Sequence, residues 1–464
     1  MAAAIVRPAE WVSPTQVRDL SAALADPAPF ARRREDAFDR FLKLPLEPNP
    51  LYRGYGYFTN VDLSGIDSVR AGPAVPIPKP IPGAIRTVHD AAGTRVHLPP
   101  ELRDAGVRLE TLPEIWKEGP EAAEAFLPSA EEPVDRLAAL STALLNRGYR
   151  LDVPNGLSVP IRLQDITLLS QAHQSLSIRR TIRAGTDSQL LVTEETYSTV
   201  AEPGGQRLAS SSTEIGLEER AKCVVLTVHA PDLRAVSLQQ RTATLGPGAR
   251  LAWFWGGLGG FRSKIRNSTT LAGAGSAVDD LQIFYGSHDQ SFDSSVHLTH
   301  TGTDTHGQSI TRGVFTDQAR GMSRGLVRIE HPARRTLSFI SEHAMLLSKG
   351  ARSDTIPILE ILCRDVKATH STSVHPVDTE QVFYLESRGF NEPESVRMIG
   401  EGFLSYVLDR APIAGLRDRL YPLLEARWNG AEIVWDPSGE RALPQLEVTG
   451  TEGAPEWRFD AKLR

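Results

Sequence analysis

Cysteine is almost absent from this 464-residue chain, with Cys223 and Cys363 the only two. A disulfide framework is therefore not expected, and a metal site built from this chain's thiolates alone is excluded. Any metal cluster would need other ligands or a second chain. Long hydrophobic runs are missing as well. No stretch approaches the roughly 18 to 20 apolar residues of a membrane span. The opening MAAAIVRPAEWVSP lacks the apolar core of a signal peptide, so the reading is a cytoplasmic protein without membrane attachment. Positive charge is not in excess: the net charge is −6 and the isoelectric point near 6.1. That argues against nucleic acid as the partner. The phosphate-cradling pattern G-x-x-x-x-G-K-[ST] does not occur either, so nucleotide binding of that kind is not expected.

What is present is ordinary for a soluble globular protein, 41% hydrophobic and 23% charged residues, in a chain long enough for several structural units. Residues 1–147 mix helical signals with proline-rich connectors such as VPIPKPIPGAI. Helical spacing over Phe30 to Leu44 puts Phe30, Phe38, Phe41 and Leu42 on one face and leaves Arg32, Arg33 and Arg34 outward. A second helix, Val134 to Asn146, carries Leu137, Leu140 and Leu144, with Gly148 placed to stop it.

From residue 148 to about 376 the texture changes to short runs of β-formers separated by Gly, Asp, Asn and Ser, as in SLSIRRTIRA, QLLVTEETYS and KCVVLTVHA. Many short strands at regular spacing fit a sandwich, a barrel or a stacked solenoid. The solenoid explains best the small polar residues expected to point inward, because stacked rungs let them form ladders. The segment WFWGGLGGFRSK is dense enough in glycine to call for unusual backbone angles.

Helices return over 377–428. Asp378 with Gln381 forms a capping-box pattern, and Gly389 sits where a terminator belongs. Asn391 with Glu394 repeats the box ahead of a helix presenting Val396, Ile399, Phe403 and Tyr406 or Val407 and ending at Ala411 and Pro412. A further helix carries Ile413, Leu416, Leu420 and Leu424. Residues 429–464 read as short strands and turns around Trp435 and Trp457.

The stretch from Gly286 to Arg410 resembles the SufB/SufD family, and its SufD branch in particular. The carrying segments are SHDQSFDSSVHLTHTGTDTHGQSITRGVFTDQARGMSRGLVRI and LLSKGARSDTIPILEILCRDVKATHSTSVHPVDTEQVFYLESRGF. Upstream, FLKLPLEPNPLYRGY and ALLNRGYRLDVPNGLSV are similar to the family's N-terminal region and the start of its β-helix. The resemblance implies a mainly β protein: a right-handed parallel β-helix core, an N-terminal α+β domain and C-terminal helices. It also implies a non-catalytic scaffold for iron-sulfur cluster assembly, paired with a SufB-type subunit and two copies of a SufC-type ATPase. The cluster would be transient and shared with the partner subunit. Whether the complex also binds a flavin is left open.

The resemblance implies roles for a few residues. His370, in VKATH, matches the SufD histidine thought to face a SufB cysteine at the cluster site, and imidazole suits iron. Where the family often has a cysteine two residues earlier, this chain has Ala368. Cys363, seven residues before His370, is by that position and not by the resemblance a weaker candidate ligand or persulfide acceptor, weighed against a buried thiol acting as a small hydrophobe; Cys223 reads as a core strand residue. Docking of the ATPase is expected near Phe403, Val407, Pro412 and Ile413. His297, His300 and His306 are read as surface and ladder residues, since residues three apart on a strand point to opposite faces. The pair Asp279 and Asp280 is read as turn-capping. Two rival readings stand: a self-pairing homodimeric scaffold, and a β-solenoid enzyme acting on polysaccharide or acyl donors.

Overall fold

In the computed structural model, residues 11–45, 61–127, 135–157, 159–199, 204–413 and 415–435 are described. The β-rich stretch forms strands most of which pair not with their sequence neighbours but with the strand two positions on. In chain order these are β1 (Ile85–Asp90), β2 (Gly93–His97), β3 (Arg108–Thr111), β4 (Arg147–Val153), β5 (Ile161–Leu169), β6 (Ser175–Ala184), β7 (Gln189–Ser198), β8 (Arg207–Leu217), β9 (Lys222–Ala230) and β10 (Ala235–Leu245). They continue as β11 (Arg250–Gly257), β12 (Arg262–Leu271), β13 (Ala277–Gly286), β14 (Ser291–His300), β15 (His306–Phe315), β16 (Arg320–Ile329), β17 (Thr336–Leu346), β18 (Arg352–Ile361) and β19 (Val366–Pro376). Odd-numbered strands from β5 onward line one ten-stranded sheet and even-numbered ones from β4 a nine-stranded sheet facing it. The result is a parallel β-solenoid of about eight turns.

One corner shows why the chain turns where it does. Asp187, Arg220, Gly248, Gly275, Asp304 and Arg335 all take left-handed backbone angles. Their amide nitrogens donate to the carbonyl oxygens of Glu219, Pro247, Ala274, Thr303, Arg334 and Asp365, each belonging to the next turn of the stack. Short polar residues and glycine tolerate this conformation best. At two places an arginine at this corner is paired with the aspartate below it, Arg220 with Asp187 and Arg335 with Asp304.

Between the sheets, alternate residues point inward and stack rung upon rung. Trp255, Phe284, Phe292 and Phe315 form an aromatic cluster, with Trp255 and Phe284 ring centroids 4.8 Å apart. Polar ladders share this interior: His300 bonds the hydroxyls of Thr305 and Ser338. Buried ion pairs join it too. Arg241 holds Glu194 at 2.9 Å and Arg180 holds Asp165 at 2.8 Å. Burial alone would raise the Asp165 carboxyl, but the charges of Arg180 and His89 hold it well below the usual carboxylate range.

Helices cover the outer faces. α1 (Pro14–Ala23), α2 (Ala28–Lys43), α3 (Pro100–Asp104), α4 (Leu112–Glu118), α5 (Pro120–Phe126) and α6 (Arg136–Ala143) precede the stack, and α7 (Thr379–Glu386), α8 (Glu392–Leu408) and α9 (Leu416–Trp428) follow it. The N-terminal helices pack Phe41, Leu137 and Leu140 against Leu208, Val236 and Leu238 of the nine-stranded sheet. α8 and α9 pack Leu404, Val407, Leu420 and Leu424 against Phe254, Leu281, Ile283 and Tyr285 of the ten-stranded one. No helix among the described residues is long and apolar enough to cross a membrane.

Local expectations were corrected in several places. Arg34 is not outward but fully buried, held by Asp26 at 2.9 Å and by the carbonyl of Ala143, while Leu42 is exposed. Gly148 does not terminate a helix. It lies in β4, where a Cβ would meet the Arg179 carbonyl oxygen at 2.6 Å, so only glycine allows the strands to approach. Asp378 caps α7 by accepting from Glu380 N, without the Gln381 box, whereas Asn391 and Glu394 form the complete box. α8 ends at Leu408, short of Ala411 and Pro412. In WFWGGLGGFRSK, only Gly260 takes a left-handed φ, +86°. Gly257 is needed for room: a Cβ there would meet the Trp255 ring at 2.0 Å. Of the last segment, Trp435 bonds Ser198 O and Pro76 O, and residues 436–464, Trp457 included, lie outside the described residues.

Candidate functional site

The two ends of the solenoid differ. At the N-terminal end the sheets are finished by antiparallel pairings, β1 with β2 and β3 with β4. At the C-terminal end β18 and β19 are the outermost strands of their sheets, and no strand among the described residues pairs with their free edges. The preceding strands are mostly buried, yet β18 and β19 are half-buried or exposed along most of their length. Ile361, Leu362 and Val374 add exposed apolar side chains there.

His370 lies in the middle of β19. Its register partner in β17 is Ile340, which is 0% exposed and packs in the inner core. Parallel register keeps side-chain direction, so His370 occupies an inward-facing position on the last rung, and it is exposed, with no further rung among the described residues to cover it. Val366 and Ala368, on the same face, pack against the inner core. Cys363 is buried in that core, in the turn between β18 and β19. His370 is four residues into the strand, about 13 Å of extended chain beyond Val366. The structure therefore does not bring this thiol and imidazole together. Cys223 is fully buried in β9, and burial pushes its thiol well above the ordinary range, as expected of an inert core cysteine.

Beneath the last rung sits a carboxyl group that the sequence reading missed. Glu342 of β17 is 1% exposed and accepts a 2.6 Å bond from Ser323 Oγ across the interior. Burial pushes it up to about 7. Its signal in the sequence is a lone acid in the inward register of FISEHAML.

Among the described residues no three of His, Cys, Asp and Glu are gathered so as to hold a metal ion. His297 and His300 do point to opposite faces, His300 being buried with its ring bonded and pushed down to about 3 by burial. Asp279 and Asp280 are not turn caps. Both are buried within β13, where burial raises them to about 7 and about 6; Gln308 donates to the first, Asn267 and Gln282 to the second.

The expected docking residues separate by depth. Val407 is 0% and Ile413 7% exposed, both inside the chain's own core, while Phe403 and Pro412 are half-buried. Arg312 of β15 lies against the rings of Phe403 and Tyr406, and Arg410 stacks on Tyr406 at 3.5 Å. What an outside partner can reach on these helices is Phe383, 72% exposed, Tyr384 at 56%, Phe390 and Met398. Adjacent aromatics in an otherwise amphipathic helix were the available signal.

Comparison with known proteins agrees with this architecture. The family model described as the SUF system FeS cluster assembly SufBD core domain matches residues 167–403, just over half the chain. The iron-sulfur cluster assembly protein SufD of Bacillus subtilis (strain 168) is 26% identical over 340 residues, covering 73% of this chain and 78% of that one. An iron-sulfur cluster assembly SufBD family protein of Staphylococcus saprophyticus is 23% identical over 314 residues, 68% of this chain and 67% of the relative. A SufBD family protein of Mycobacterium leprae is 25% identical over 279 residues, 60% of this chain but 32% of that longer protein.

Proposed function

Because the chain belongs to the SufBD core family of the SUF iron-sulfur cluster assembly system, on its SufD side, we propose that it is a scaffold subunit that works through its uncovered solenoid end. A SufB-type subunit would add its own strands to the free edges of β18 and β19, satisfying their unpaired backbone groups. The nascent cluster would form across that junction, with His370 contributing an imidazole and the partner the thiolates that this chain lacks. A SufC-type ATPase would dock on the C-terminal helices. The observation that carries the reading is His370 itself, an exposed, inward-register histidine on the last rung among the described residues.

The accessible helix surface shifts the expected ATPase contact. Val407 and Ile413 are buried in the chain's own core, so the docking face we propose is Phe383, Tyr384, Phe390 and Met398, with Phe403 and Pro412 at its edge. Because α8 packs on β13 and β15 of the stack, closure of an ATPase pair would be carried to the solenoid through this helix. The chain would supply no catalytic group of its own, and the iron-sulfur cluster is its cargo.

The test is native mass spectrometry of the protein purified anaerobically from its own host. Recovery of a SufB-type chain with two SufC-type ATPase chains is the expected result. The same free edges would also accept a second copy of this chain, and recovery of a homodimer or a lone chain without an ATPase overturns the heteromeric reading.

A further inference from the structure

Glu342 is buried, inward-facing and only half satisfied. Its Oε1 is fixed by Ser323 Oγ, but Oε2 finds no hydrogen-bond partner among the described residues. The hydroxyl of Thr311, its register partner on the rung below, is likewise unpartnered. A buried polar atom left without a partner costs roughly 1–3 kcal/mol, more when charged. An aliphatic residue would fill this position without that cost, so the free oxygen calls for an account.

The register supplies one. Glu342 pairs with Thr372 of β19, and His370 lies two residues before Thr372 on the same inward face. With strands about 4.8 Å apart and a rise of about 3.3 Å per residue, the two backbones are about 8 Å apart on the diagonal, within the span of an imidazole and a carboxylate reaching toward one ion. Between Glu342 and the open end lies only the last rung, whose inward positions there are Thr372 on β19 and Thr355 and Pro357 on β18, the partners of Ser323 and Gly325. This stretch offers two threonine hydroxyls and, as its one apolar side chain, Pro357.

We propose that Glu342 is this chain's second ligand, with His370, for a ferrous ion received at the open end of the solenoid; the proposal rests on the scaffold reading above. One carboxylate oxygen held by a hydroxyl and the other left free is how ligating carboxylates are oriented in metal sites. Imidazole with carboxylate is an ordinary donor set for ferrous iron, and the remaining positions would be open to partner thiolates and sulfide.

The experiment uses the isolated full-length chain, anaerobically, with Co²⁺ as an optical probe and Fe²⁺ in competition. The wild type is expected to show one saturable Co²⁺ site that Fe²⁺ displaces. Glu342→Gln and His370→Ala are each expected to weaken it at least about tenfold, and Ser323→Ala to weaken it less. Glu342→Gln is nearly isosteric and keeps an acceptor for Ser323, so circular dichroism and a melting curve matching or exceeding the wild type exclude misfolding as the cause. Wild-type affinity in Glu342→Gln, or no saturable site in the wild type, overturns the proposal. Its failure is separable from that of the scaffold reading: a co-purified ATPase complex with Glu342-independent Co²⁺ binding sinks only this inference, and Glu342-dependent binding in a chain that recovers no partners sinks only the other.

Discussion

Ile340 and His370 are register partners on adjacent strands and face the same way, yet the isoleucine is sealed in the core and the histidine is exposed. The difference lies in what comes next in the stack. Ile340 has a rung above it and His370 has none among the described residues, so a side chain that would be interior in a longer solenoid becomes a surface group at its end.

Replacement of His370 by alanine should separate stability from function. An exposed substitution outside any network changes stability by within about 0.5 kcal/mol, so the melting curve should match the wild type. Cluster formation by the reconstituted complex, followed by visible absorbance after anaerobic iron and sulfide addition, should fall steeply. Wild-type cluster yield would remove His370 from the site.

The two depths of the C-terminal helices predict opposite behaviours. The double variant Phe383→Ser, Tyr384→Ser should stay as stable as the wild type but lose the ATPase in a pull-down, because both rings are exposed. Leu404→Ala, by contrast, opens the fully buried contact between α8 and the sheet and should cost about 2–5 kcal/mol in denaturant unfolding. ATPase retention by the double variant would move the docking face elsewhere.

Gly257→Ala should destabilise although it adds only a methyl group. The new Cβ would fall 2.0 Å from the buried Trp255 ring, which is boxed in by Phe284 and Phe292. Overpacking of this kind costs about 1–3 kcal/mol, readable as a lower denaturant midpoint at unchanged slope. An unchanged midpoint would mean the ring can move aside.

Glu342 should give the stability a distinctive pH term. Its folded-state value is raised to about 7 by burial, so between the unfolded value near 4.5 and pH 7 the folded chain binds the extra proton. Stability is then lost as pH rises through that window. Glu342→Gln lacks this term. The variant should equal the wild type near pH 4 and exceed it by up to about 3 kcal/mol at pH 8. Equal stabilities at both pH values would show that the carboxyl ionises freely.

How much of this was legible in the sequence depends on the range over which each residue is constrained. The solenoid was readable because its turn chemistry and strand lengths are local and repeat each rung, and the capping box of Asn391 and Glu394 is closed within four residues. Arg34 and Gly148 were misjudged because their reasons are distant: the carbonyl of Ala143 for one, that of Arg179 for the other. The same holds for the site. His370 was singled out by its motif, but the position of Glu342 beneath the last rung emerges only when β17 stacks under β19, and the burial of Val407 only once α8 has a sheet to lie on.

The bare edges of β18 and β19 also bear on how much of this protein a cell can tolerate. A copy without the proposed partner carries two long strands that no other described strand pairs on their outer edges, with Ile361, Leu362 and Val374 beside them, the kind of surface that templates indiscriminate strand addition. If the proposed SufB-type subunit covers that end, its supply bounds this chain's abundance from above, and overproduction alone should yield aggregates that co-production of that subunit prevents.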